Sequence, residues 1–177
     1  MRFTSHILSC IVIALLFTGC GRDGGTHVSK TSFACPKMKV YACLVTPTRY
    51  WKSGQDLPLI LMIVNGGTKP LRIDKRMSWP GNIKVYAKLP SSRVISASRI
   101  AVKLSQPSLR DIISLSPHMI YGRELRIETT DRNIGQELRH PKPGVYTFWI
   151  EFYQYPNTQL AIEGLSLTTN QVVVERL

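Results

Sequence analysis

The segment Leu57–Asp74 reads LPLILMIVNGGTKPLRID, which is an apolar run, a glycine turn and a second, shorter run. Its first nine residues, Leu57–Asn65, are nearly all apolar, which is typical of a central strand flanked by other strands. Gly66 and Gly67 then favour a turn, because glycine adopts the backbone angles that tight turns need. Leu71–Asp74 has the pattern of a short strand. We therefore expect a central strand and a short strand joined by a turn.

Short apolar runs between turn residues continue outward along the chain, and no long stretch has the 3.6-residue period of an amphipathic helix. A spacing of about ten residues, with Gly and Pro between the runs, favours one antiparallel β-sandwich. Ser105–Ser116 is expected to be a loop or a short helix. The predicted strands are Val40–Thr46, Leu57–Asn65, Leu71–Asp74, Ile83–Leu89, Val94–Leu104, Ile120–Thr129, Val145–Tyr153 and Val172–Val174.

Composition agrees with a folded domain. The chain has 177 residues, of which 44% are apolar. This length suits one domain with a sizeable core, and the apolar fraction excludes disorder over most of the chain. The 12 Gly and 11 Pro follow no repeat, which excludes a collagen-like chain.

The first residues predict a signal peptide. Arg2 supplies a positive charge, and the apolar run Ile7–Phe17 is shorter than the roughly 20 apolar residues of a transmembrane helix. Leu16–Cys20, LFTGC, resembles a bacterial lipobox. The resemblance implies that residues 1–19 are removed and that Cys20 carries a diacylglyceryl group and an N-acyl chain such as palmitate. A plain signal peptide is the alternative. Residues 20–32 are polar and glycine-rich, which predicts a flexible tether.

The lipobox also implies a location in a bacterial cell envelope. Gly21 follows Cys20 where lipoproteins retained in the inner membrane have Asp, so we expect an outer-membrane anchor facing the periplasm. The inner membrane and the cell surface are the alternatives. In such an oxidising compartment we expect a disulfide between Cys35 and Cys43, with two buried thiols as the alternative.

Several short motifs resemble those of bacterial immunoglobulin-like domains, over about residues 38–177. The resemblance implies that residues 33–177 form one immunoglobulin-like β-sandwich of about seven to eight strands. Gly144–Tyr146 resembles the tyrosine corner, in which a Tyr hydroxyl bonds to the backbone upstream. Such domains serve adhesion, chaperoning, inhibition and carbohydrate contact, so the fold leaves the function open. The matching residues are Asn65, Pro70, Leu71, Gly144, Tyr146, Thr169, Asn170, Val172 and Val174.

Positive charge is concentrated in the first half of the chain. Residues 30–103 carry a net charge of +12, whereas residues 104–177 carry −1. Strand alternation places Lys84, Tyr86 and Lys88 on one face. We expect a basic face for an anionic lipid, an anionic glycan or an envelope protein, with a merely solvated face as the alternative. The predicted basic face comprises Lys69, Arg72, Lys75, Arg76, Lys84, Tyr86 and Lys88.

The sequence does not decide whether the three tryptophans are core or surface residues. Trp149 and Tyr153 alternate with the apolar face of their strand, so they either form a contact patch or lie beneath a loop as core, which we favour. Trp51 fits either class, and Trp79 lies in a loop between two basic strands.

No catalytic, phosphate-binding or paired-cysteine motif occurs in the sequence. We therefore expect no enzyme, cofactor or metal site. The positive charge would suit nucleic acid, but the envelope location argues against that partner. The predicted function is that of a non-enzymatic, membrane-anchored binding or adaptor module of the cell envelope. The alternative is an inhibitor of a protease or lysozyme, which would use the loop Arg76–Asn82 or Gln106–His118.

Overall fold

The computed structural model describes residues 40–77, 79, 81–98 and 105–177, all within the compact unit Pro36–Leu177. They form a mostly β immunoglobulin-like sandwich, which confirms the predicted fold class. Among these residues, no helix has the length and apolarity needed to cross a membrane. The strands are β1 (Val40–Val45), β2 (Tyr50–Trp51), β3 (Leu57–Asn65), β4 (Leu71–Asp74), β5 (Ile83–Lys88), β6 (Val94–Ser96), β7 (Ile112–Leu115), β8 (Ile120–Ile127), β9 (Gly144–Gln154), β10 (Leu165–Thr168) and β11 (Val172–Arg176). A 3₁₀ turn spans Leu109–Asp111, and helix α1 spans Gln136–Arg139.

The largest sheet has six strands, in the order β2-β11-β9-β5-β6, with β10 also paired to β9. Its pairs are antiparallel except that β2 runs parallel to β11. A three-stranded sheet, β1-β3-β8, and a two-stranded sheet, β4-β7, are also antiparallel. The inward side chains of all three sheets form one hydrophobic cluster.

Alternation along the strands builds this core. On β9, the buried side chains Tyr146, Phe148, Ile150 and Phe152 alternate with partly exposed ones, as predicted. Trp51 is only 1% exposed and packs edge-on against Tyr146, with ring centroids 5.7 Å apart. Trp51 is therefore a core residue. Burying side chains of this size contributes about 1.5–3 kcal/mol each.

The structure departs from the predicted strands where the strands are short. Ser105–Ser116, expected as a loop or short helix, contains both the 3₁₀ turn and β7. Strand β7 exists because it pairs with β4, with Leu71 opposite Leu115, and local periodicity does not reveal such a long-range partner. Strands β2 and β10 are also too short to show alternation. Strand β6 ends at Ser96, and residues 99–104 of the predicted strand lie outside the described residues.

The tyrosine corner predicted at the start of β9 is confirmed. The Tyr146 hydroxyl donates to the Lys142 carbonyl at 2.9 Å, and its ring is 2% exposed. Gly144 has a φ of +132°, and a Cβ atom there would lie 2.8 Å from Pro90 Cγ. Only glycine fits such a position, because both the backbone angle and the space exclude a side chain.

Buried amides explain two of the motif residues. The Asn65 amide donates to the carbonyls of Lys69 and Leu115, both at 2.8 Å, and so ties the turn after β3 to the end of β7. The Asn170 amide accepts from the Leu44 N–H at 2.8 Å and donates to the Leu44 carbonyl at 2.9 Å. Asn170 therefore pairs with the edge of β1 as a neighbouring strand would.

The side-chain amide of Gln154, at the end of β9, also bonds to backbone groups of other segments. Its side chain accepts from the Asp74 N–H at 2.8 Å and donates to the carbonyls of Arg72 at 3.0 Å and Glu163 at 2.9 Å. Gln154 is 6% exposed, so water does not replace these bonds. One side chain thus joins the two-stranded sheet to the six-stranded sheet.

Residues 1–39 lie outside the described residues. The signal peptide over 1–19, the lipidation of Cys20, the tether over 20–32 and the position of Cys35 therefore stay predictions. Cys43 is buried on β1, and its bond to Cys35 also stays a prediction.

We expect Gln154→Leu to lower the free energy of unfolding by about 2–4 kcal/mol, because it leaves the buried backbone groups of β4 without a partner. Urea unfolding measures this loss. Gln159→Leu is the matched control, since Gln159 is exposed and should change stability by less than about 0.5 kcal/mol. Equal effects of the two variants would contradict the bridging role.

Candidate binding surfaces

The residues of the predicted basic face divide between two sheets. Lys84 and Lys88 on β5 are exposed and Tyr86 between them is partly exposed, so these three do share one face. The remaining four lie on β4 or in its flanking turns. Strands β4 and β5 follow each other in sequence, but β4 pairs with β7 whereas β5 pairs with β6 and β9. The seven residues therefore come from two sheets, which we describe as two surfaces, and the single basic face stays a prediction. The four residues of the β4 region are Lys69, Arg72, Lys75 and Arg76.

The first surface is a basic cluster, which we define as Lys75, Arg76 and Arg123. The Lys75 N–H donates to the Asp111 carbonyl at 2.8 Å. Arg123, on β8, donates through Nη1 to the Arg76 carbonyl. Sequence analysis missed Arg123 because β8 reaches the turn after β4 only through the fold. Lys69 and Arg72 lie on the same strand region, and Arg72 donates to the Leu160 carbonyl at 2.8 Å.

The carboxylates beside the basic cluster are engaged within the chain. Asp74 accepts from Arg76 Nε at 2.9 Å and 3.0 Å, and this hydrogen bond raises the pKa of Arg76. Asp111 accepts from the N–H and the hydroxyl of Ser108, both at 2.8 Å, and these bonds chiefly lower the pKa of Asp111. The side chains of Lys75 and Arg123 are exposed, and the charge of Asp111 still attracts Lys75.

The backbone of this turn is held in place by Met77. Its side chain is fully buried in the core, although its φ of +37° is in the left-handed region that most residues avoid. Burial of an apolar side chain offsets such strain.

The second surface, which we call the aromatic face, is the outer face of the six-stranded sheet around Tyr86, Trp149, Glu151 and Tyr153. Tyr86 and Trp149 are cross-strand partners whose rings stack with centroids 5.5 Å apart and planes at 12°. Lys84 Nζ lies 5.1 Å from the centroid of the Tyr153 ring. Trp149 and Tyr153 are partly exposed. The favoured prediction that a loop buries them as core is wrong, since neither belongs to the hydrophobic core cluster. That this face is a contact patch stays a prediction.

Glu151 lies at the centre of the aromatic face. It accepts from the hydroxyls of Tyr86 at 3.0 Å and Tyr153 at 2.5 Å. The bond to Glu151 is the main reason why the pKa of Tyr153 is raised to about 12, since ionisation would place two negative charges together. For Tyr86, burial comes first and Glu151 second in raising the pKa.

The aromatic face is balanced in charge rather than basic. Lys84 is directly opposite Glu151, and β11 contributes Glu175, which is opposite Val145 on β9. Sequence analysis missed both glutamates because they come from strands distant in sequence. Opposite charges at this spacing cancel the field that would attract an anion.

Apolar side chains border one end of the aromatic face. One row across the sheet runs from Val173 through Thr147 and Lys88 to Val94, and Val173 and Val94 are 58% and 51% exposed. Val145 is 54% exposed on the same side of β9. Half-exposed valines beside three aromatic rings make an apolar patch of the kind that marks interaction sites.

No protein-family model and no curated protein matches the chain. Solved structures do. The β-glucosidase from Listeria innocua in complex with isofagomine aligns over 77% of this chain and 16% of its own, at 11% identity and a TM-score of 0.37. A β-glucosidase from Erythrobacter marinus aligns over 78% of this chain and 15% of its own, at 10% identity and a TM-score of 0.41. The ASH/PapD-like domain 7 of human CEP192 aligns over 88% of this chain and 96% of its own, at 14% identity and a TM-score of 0.31. These are similarities of fold alone.

The role of Glu151 predicts a change in tyrosine titration. Glu151→Gln removes the negative charge and the strong acceptor, so the pKa of Tyr153 should fall from about 12 toward the ordinary value near 10. Absorbance at the phenolate band, followed as pH rises, should then show one more tyrosine ionised by about pH 11. Glu163→Gln, at an exposed position, is the control. An unchanged titration of Glu151→Gln would refute the hydrogen-bond assignment.

Proposed function

We propose that the protein is a non-enzymatic, lipid-anchored module of the bacterial cell envelope that binds an anionic partner at the basic cluster. One observation carries this proposal. Lys75 and Arg123 come from different sheets to the same turn, where the neighbouring carboxylates of Asp74 and Asp111 are occupied by Arg76 and Ser108. Asp74 and Asp111 offset two of the three cations of the basic cluster, so one net positive charge remains there.

A lipid anchor at Cys20 would bring the basic cluster close to partners in or near the membrane. Lipid chains at Cys20 and the tether over 20–32 would hold the domain beside a membrane, on the periplasmic side of the outer membrane. Two or more acyl chains give stable anchoring, and tethering raises the effective concentration for any partner in the same layer. A disulfide between Cys35 and Cys43 belongs to the same proposal, because this compartment is oxidising.

The partner is defined by its chemistry, which is a phosphate or carboxylate group presented at a surface. Lipid headgroups, anionic glycans and acidic patches of envelope proteins all present such groups. Each cation near an anionic surface contributes about 1 kcal/mol, and the attraction weakens as salt shortens its range.

We expect the double variant Lys75→Glu/Arg123→Glu to lower partner capture at least tenfold. The measurement is in-cell photo-crosslinking of the full-length protein, followed by mass spectrometry that separates protein, lipid and glycan adducts. Lys84→Glu/Lys88→Glu makes the same charge change on the aromatic face and should alter capture by less than about threefold. Capture should also fall as salt rises. The proposal fails if both double variants capture equally well.

An inhibitor of a protease or lysozyme is the second candidate. It is favoured by Leu109, which is 70% exposed on a 3₁₀ turn fixed by Ser108 and Asp111. The other predicted loop, Arg76–Asn82, instead turns Met77 into the core. Purified protein assayed against a panel of proteases and lysozymes distinguishes the two candidates, since the binding module inhibits none of them.

A further inference from the structure

We propose that the aromatic face binds the same face of a second copy of the chain. This goes beyond the proposed function, because it uses a surface that carries no net charge and that is separate from the basic cluster. The chain as a whole has a formal charge of +12, so two copies repel each other over most of their surface. Around Glu151 the paired lysines and glutamates remove that repulsion.

The strand register makes the face complementary to itself. A two-fold axis parallel to the strands, midway between β9 and β5, places β9 of one copy over β5 of the other. Each side chain then meets the copy of its own cross-strand partner. Lys84 faces Glu151 of the second copy, and Tyr86 faces Trp149, each contact occurring twice.

The same axis matches the outer strands. Strands β11 and β6 lie at equal distances on either side of the β9-β5 pair, so Val173 of one copy faces Val94 of the other within one row. The rotation keeps the strands of both sheets aligned, which is the usual arrangement of sheets packed face to face at about 10 Å. Charged groups of one copy thus face opposite charges of the other, aromatic rings face aromatic rings, and valines face valines.

The exposed chemistry favours a protein surface over a glycan. A sugar ring binds an aromatic ring through an open face, but Tyr86 and Trp149 each cover one face of the other, and Lys84 covers a face of Tyr153. Aromatic residues with little net charge are instead typical of protein interfaces.

The size of the sheet also suits this partner. Eleven residues of β9 span about 36 Å, and the five strands in series span about 19 Å, which gives at most about 700 Å². A standard interface buries roughly 800 Å² on each partner. The face is therefore smaller than a standard interface, which suits a weak, reversible homodimer.

Two complementary variants test the interface. Lys84→Glu places two glutamates against each other in a homodimer, and Glu151→Lys places two lysines against each other. Each variant alone should raise the dissociation constant of the dimer at least tenfold. An equimolar mixture should restore dimers, because each copy then presents the charges that the other lacks. Sedimentation equilibrium of the full-length lipidated protein in a non-ionic detergent measures all three samples.

Covalent trapping tests the geometry. Val94 and Val173 are three strand spacings apart within one copy, about 14 Å, which is too far for a disulfide. In the proposed dimer they face each other, so mild oxidation of Val94→Cys/Val173→Cys should give covalent dimers well above the background of the unmodified protein.

The outcomes separate this proposal from the proposed function. A monomeric wild type, or homodimers of both charge variants as stable as the wild type, would overturn it. Restored dimers in the mixture together with the covalent product support it. Salt should strengthen this dimer by screening the overall repulsion, whereas it weakens capture at the basic cluster. Lys75→Glu/Arg123→Glu should dimerise as the wild type does, so either proposal can fail alone.

Discussion

The side-chain amide of Gln154 is the contact on which the arrangement of both surfaces depends. It satisfies the Asp74 N–H and the Arg72 carbonyl from a buried position at the end of β9. A strand edge within a protein must find partners for these groups, since leaving them bare in the interior is costly. Gln154 supplies them where no strand does. Because β4 is fixed to β9 in this way, the turn that follows β4 has a defined position relative to β8.

The basic cluster and the aromatic face differ in their electrostatic environments. At the turn, Lys75 and Arg123 lie together while the adjacent carboxylates are engaged. On the six-stranded sheet, cross-strand pairing sets Lys84 beside Glu151 and Tyr86 beside Trp149. The alternating Lys and Tyr of β5 are thus paired with a glutamate on the neighbouring strand, whereas the three cations of the basic cluster outnumber the two carboxylates beside them. The charge of a surface therefore depends on the neighbouring strands in the sheet as much as on any one strand.

The sequence allows accurate prediction wherever a pattern is local and long. Strand β3 has the predicted bounds, and β9 differs by one residue at each end, because apolar periodicity over such lengths has one solution. Strand β4 also has the predicted bounds, since a glycine turn marks its position after β3. The tyrosine corner follows from three adjacent residues. Strand β7 could not be predicted, because four residues form a strand there only through pairing with β4.

The candidate surfaces were predictable to a smaller extent. Alternation correctly placed Lys84, Tyr86 and Lys88 on one face. It gave no indication of Glu151, which is 67 residues after Lys84 in the sequence but next to it in the sheet. It also gave no indication that Arg123 lies beside Arg76. Trp149 was misassigned because alternation shows that two faces exist but not which of them a further layer covers.

The buried side chain of Met77 has a consequence for recognition. Its strained backbone is held by the core, so the backbone at Lys75, Arg76 and Met77 is preorganised. Ordering a mobile loop usually opposes association. For the proposed binding at the basic cluster, that cost is already met at these three residues during folding.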